Sequence, residues 1–126
     1  MNIGLRYTNT FHTLFSHDGY FVDASGPANS PNQFITQMPR SQLAPLRIYL
    51  DVGENDASFL RSSQQFHATL DRLGVVNTLE VFPGGHGLSG PDVGWNYIRK
   101  HLRDSLAFVG RSFSANDRKP AGAGQP

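Results

Sequence analysis

The chain has 126 residues, 38% of them hydrophobic, which supports one core and one domain at most. Eleven Lys and Arg against ten Asp and Glu leave a formal charge of +1. These charges are scattered rather than massed into a stripe, so nothing marks a surface for nucleic acid or an anionic membrane. The absence of cysteine excludes a disulfide scaffold, a zinc ribbon and a thiol nucleophile, but leaves the compartment open.

No apolar run approaches the ~20 residues that span a bilayer, and the opening MNIGLRY lacks the charged-then-apolar pattern of a signal peptide, so a soluble chain is expected. Met1 to Tyr7 reads as the last turns of a helix. Thr10 to Phe15, β-branched and aromatic, reads as a short strand that stops at the polar turn Ser16-His17-Asp18-Gly19. From Gly19 to Pro45 the chain is crowded with Gly, Pro, Ser and Asn and holds one short candidate helix around Gln33 to Met38. Long connections of this kind often lie over an active site.

The pattern becomes regular at Leu46. LRIYLDVG is a compact strand buried on both faces, and it ends at Gly53 in the acidic loop Glu54-Asn55-Asp56. Ser58 is placed to cap a helix whose apolar positions Phe59, Phe66, Leu70 and Leu73 share one face, with Gly74 as its stop. Asn77 to Phe82 forms the next strand, which ends in the turn Pro83-Gly84-Gly85-His86. Ser89 to Asp92 opens a last helix, along which Trp95, Ile98, Leu102 and Val109 recur at helical spacing. Beyond Phe113 there is too little apolar surface to fold.

Strands alternating with helices imply right-handed crossovers and a mostly parallel sheet with flanking helices. The expectation is one α/β domain over residues 1–111 and a flexible tail over 112–126. Chemistry in such sheets gathers at the carboxyl ends of the strands, where Asp56 and His86 both fall. An acid loop and a histidine loop on neighbouring parallel strands suit a dyad, in which the carboxylate accepts a hydrogen bond from one imidazole nitrogen while the other takes a proton.

The run from DVGENDASFL through VFPGGHGLSG to WNYIRKHL, with FHTLFSHDGYF before it, resembles the acid-to-histidine part of the esterase branch of the α/β-hydrolases, which includes esterase D and feruloyl-esterase-like enzymes. The resemblance covers most of Met1 to Val109 and implies a partial α/β-hydrolase fold. It implies Asp56 as the acid, His86 as the general base and a small ester as substrate. No metal and no cofactor are expected. One departure stands out: the G-x-S-x-G elbow that precedes these elements in the family is absent from these residues, so the nucleophile and the oxyanion donors are expected upstream of residue 1. Losing even one such donor costs about 10²–10³ in rate.

Other residues compete for these roles. Asp51 is the rival acid, although its place within the strand suits tying the turn. His12, His17 and Asp18 hint at a metal site but lack a third ligand at a convincing spacing. Ser16, Ser25, Ser30 and Ser89 lie near the sheet edge without an elbow's glycines. His67 and His101 read as surface residues, and Phe59, Phe66, Trp95 and Ile98 as core. Two functions follow. One is a carboxylic ester hydrolase of the serine type, or its C-terminal portion. The other is a non-catalytic remnant that oligomerises, or pairs with a missing N-terminal half, through a stripped sheet edge.

Overall fold

The computed structural model describes residues 1–117. Three strands, β1 (Thr13–His17), β2 (Arg47–Gly53) and β3 (Val76–Phe82), form a sheet in the order β1-β2-β3. Both pairings are parallel: His17 lies opposite Asp51, and Gly53 opposite Phe82. Among the described residues five α-helices accompany them: α1 (Asn2–Arg6), α2 (Pro31–Phe34), α3 (Arg40–Leu43), α4 (Ala57–Arg72) and α5 (Trp95–Asp117). The expected α/β class, with a parallel sheet flanked by helices, is the one observed. Among the described residues no helix is long and apolar enough to cross a membrane.

β2 is central, and every residue from Ile48 to Gly53 is buried, as a strand covered on both faces must be. Alternate side chains point to opposite faces. Ile48, Leu50 and Val52 are fully buried, and the first two join Phe66 and Leu70 of α4, with Phe21, Ile35 and Leu46, in the main apolar core. Tyr49 and Asp51 face the other way, where Tyr49 meets the ring of Phe108 and Asp51 the hydroxyl of Tyr97, both from α5. The two long helices therefore cover opposite faces. The connection before β2 adds to the α4 side: Phe21 stacks on Phe66 with ring centroids 4.5 Å apart.

α4 ends as its sequence requires. The amide of Val75 bonds the carbonyl of Leu70 and that of Gly74 bonds Asp71, closing the helix while Leu70 and Val75 meet in the core. Its start differs from expectation. Asp56, not Ser58, occupies the N-cap position, and it makes no side-chain cap bond because its carboxylate is engaged by His86.

Three further expectations are displaced. β1 begins at Thr13 instead of Thr10, because the amides of Thr10 and Phe11 both bond the carbonyl of Tyr7 and extend the turn that closes α1. α5 begins at Trp95, because residues 92–94 are held in a bridge to Gly85, and it runs to Asp117, past residue 111 where the domain was expected to end; residues 118–126 lie outside the described ones. Its inward face is also different. Trp95 is 83% exposed, and the buried positions are Tyr97, His101, Ser105 and Ser112.

That polar face is held by a network. The buried carboxylate of Asp51 takes His17 Nδ1 at 2.6 Å and the Tyr97 hydroxyl at 3.1 Å, while Ser105 Oγ lies 3.2 Å from His17 Nε2. His101, expected at the surface, is instead stacked on Phe82 with centroids 3.7 Å apart. His67 is half-buried against Asn77. Because a buried charge stripped of its partner is costly, His17→Ala is expected to lower unfolding stability by about 3 kcal/mol in urea melts. Ser105→Ala, which removes only a neutral contact, should cost about 1 kcal/mol.

Candidate active site

Parallel pairing sends the chain out of all three strands at the same edge. β1 delivers Asp18, β2 the turn that ends at Asp56, and β3 the glycine turn that carries His86. The β2 and β3 loops are stitched together: the amide of Glu54 bonds the carbonyl of Phe82, and the amide of Asn55 bonds that of Gly84. The histidine loop closes on itself, with Gly85 donating to Asp92 and accepting from Gly94.

These bonds bring His86 Nδ1 to 2.8 Å from Asp56 Oδ2, and the His86 backbone amide donates to the same oxygen. An ionised carboxylate can only accept, so Nδ1 carries the proton and Nε2 is left to act as a base. Nε2 has no hydrogen-bond partner among the described residues. The imidazole is 52% exposed while the Asp56 side chain is 15% exposed, so the carboxylate is sheltered and the imidazole open. Phe59, in the first turn of α4, lies against the imidazole at 4.2 Å between centroids and limits its rotation. At Gly85 a Cβ would sit 2.1 Å from Asp56 Oδ2, so only glycine lets the carboxylate approach this closely.

The rival residues go elsewhere. Asp51 is spent on His17 and Tyr97 in the interior. Ser105, His17 and Asp51 have the connectivity of a hydrolytic triad, but Ser105 is 0% exposed and cannot meet a substrate. Ser30 is buried in the turn that it ties to Asp23 and Gly26, and Ser25 bonds Asp23. Neither these two nor Ser16 or Ser89 is hydrogen-bonded to His86. Of the three residues weighed for a metal, only Asp18 reaches the site, since His17 pairs with Asp51.

Asp18 itself was missed as a site residue. Its Oδ2 lies 3.7 Å from His86 Nδ1, and its Oδ1 accepts the amide of Gly53 at 2.6 Å. The available signal was its position: it follows the first strand of a parallel sheet as Asp56 and His86 follow the next two. Donor atoms of Asp18, Asp56 and His86 lie within 4.8 Å of one another, a spacing that could also hold a cation. The Asp56–His86 bond satisfies Nδ1 without one. Burial pushes the Asp18 carboxyl above the usual carboxylate range; nearby Asp56 and Asp51 add to that, while the Gly53 amide and His86 oppose it.

No protein-family profile matches the chain, and no curated protein matches it. Among solved structures it is similar to a ferulic acid esterase, with a TM-score of 0.72 and 20% identity over 88% of this chain and 45% of that one. The fold is esterase-like. At that identity the likeness speaks for the fold alone, and this chain spans less than half the length of the esterase.

Gly85→Ala is expected to push Asp56 off His86 and to cost about 1–3 kcal/mol, since its φ of +143° is also strained for alanine. A crystal structure of the variant should show the Asp56–His86 distance beyond hydrogen-bonding range. A second expectation concerns pH. A carboxyl raised in the folded state binds protons more readily there than in the unfolded chain, so its contribution is fullest at low pH and is lost as pH rises through the folded-state value. Asp18→Asn keeps an acceptor for Gly53 and removes the charge. Its stability relative to wild type should therefore climb as denaturant melts move from about pH 3 to about pH 7.

Proposed function

We propose that these residues form the acid-and-base portion of a serine-type carboxylic ester hydrolase. The observation that carries this reading is the 2.8 Å contact between a sheltered carboxylate and an open imidazole at the carboxyl edge of a parallel sheet. The likeness to a ferulic acid esterase supports it, and that protein's longer chain leaves room for the remaining parts. In this reading the nucleophilic serine and the oxyanion donors come from a hydrolase segment outside these 126 residues.

The geometry supports the following roles in this reading. His86 Nε2 takes the serine proton as the hydroxyl attacks the ester carbonyl, and Asp56 stabilises the imidazolium that forms. The proton then passes to the departing alcohol. Water enters, gives its proton to the same nitrogen and releases the acid from the acyl-enzyme. Among the described residues no serine is hydrogen-bonded to His86, so the isolated chain is expected to hydrolyse esters at close to the background rate.

A second reading has its own observation. The outer edges of β1 and β3 have no strand partner among the described residues, and Ile3, Tyr7, Phe11 and Phe15 of the α1–β1 segment are exposed. In this reading the edge pairs with another copy of the chain or with a separate hydrolase segment. Co-expression with a hydrolase segment that carries a G-x-S-x-G elbow separates the two. The enzymatic reading expects p-nitrophenyl ester hydrolysis by the complex, with the rate falling about 10⁶-fold in His86→Ala. Equal rates from both forms, together with stable self-association of the chain in sedimentation, would favour the non-catalytic module.

A further inference from the structure

We propose that Asp18 is a second positioning carboxylate for His86, held behind Asp56 so that the imidazole is flanked by two acids from two different strand ends. This rests on reading Asp56 and His86 as the working pair. The geometry is specific. His86 Nδ1 lies 2.8 Å from Asp56 and 3.7 Å from Asp18 Oδ2, too far for a hydrogen bond to Asp18 but well within charge contact. Asp18 acts as a field on the imidazolium that turnover creates, while Asp56 holds the proton.

The backbone fixes Asp18 in that place. Its own amide donates to the carbonyl of Asp51 at 2.8 Å, and its Oδ1 is taken by Gly53 at 2.6 Å, which leaves Oδ2 for His86. The residue sits at φ +46°, and among non-glycine residues Asp and Asn bear that conformation best. It is 91% buried, on the complement of its 9% exposure, so an ionised Asp18 needs a compensating charge. Charged groups reach His86 from the two other strand ends, Asp18 and Asp56, while α4 offers only the Phe59 ring. Asp51, behind Asp18, is occupied by His17 and Tyr97. The imidazole is therefore the group that becomes the cation Asp18 faces once it takes a proton.

The arrangement predicts redundancy. If Asp56 is neutralised, a small shift of the ring brings Nδ1 to Asp18, and the Nδ1–H tautomer persists. Long-range ¹H–¹⁵N spectra of the full chain, with EDTA present, read that tautomer directly. Asp56→Asn is expected to keep the Nδ1–H form of His86 in the majority, and the Asp18→Asn/Asp56→Asn double variant to turn it over to Nε2–H. An Asp56→Asn spectrum already identical to that of the double variant would overturn the proposal. Should either variant fail to fold, the ¹³C titration of the Asp18 carboxyl decides in chains that keep both acids. Replacing His86 by Gln should raise its midpoint if the pair is coupled, and an unchanged midpoint would refute it. Both readouts are independent of turnover. An Asp18 effect without hydrolysis in the elbow-bearing complex counts against the esterase reading alone, and hydrolysis without an Asp18 effect counts against this proposal alone.

Discussion

Three strands running in the same direction must leave their sheet at the same edge, and that constraint organises everything else in this chain. β2 lies between β1 and β3, in parallel register with both, so the residues that follow each strand are gathered within a few ångströms although they are distant in sequence. Asp18, Asp56 and His86 meet for this reason and for no local one. An antiparallel β3 would carry His86 to the far end of the sheet, and neither the hydrogen bond to Asp56 nor the charge contact with Asp18 could form.

Within that frame, two Asp–His pairs lie close together and serve different ends. His17 and Asp51 are sealed between the sheet and α5, with Tyr97 and Ser105 completing their contacts, and they bind a helix whose inward face is largely polar. Asp56 and His86 lie at the rim, with the acid sheltered and the base open. The chemistry of the pairs is alike, and access separates them. Ser105 at the buried pair is closed to solvent, whereas the imidazole of the rim pair is open to it.

Much of this was legible in the sequence. The apolar run LRIYLDVG announced a strand covered on both faces, Gly74 marked the end of α4, and the turns after two consecutive strands pointed to Asp56 and His86 as neighbours. What escaped depended on long-range partners. Apolar spacing chose the wrong face of α5, because its buried positions are polar side chains satisfied by Asp51, His17 and Phe82 from distant strands. The start of β1 slipped because the carbonyl of Tyr7 captures two amides that the residue pattern assigned to the strand. Asp18 looked like a turn residue beside two histidines, and only the parallel order of the sheet reveals that it faces a third.

The most direct test of this account is the state of the His86 ring in the unmodified chain. A single, slowly exchanging Hδ1 resonance at low field, with nuclear Overhauser contacts to the Phe59 ring, is the predicted result, since Asp56 holds the proton and Phe59 the ring plane. An imidazole that averages rapidly between tautomers and shows no contact with Phe59 would mean that the strand ends do not hold the pair together, and the account would fail.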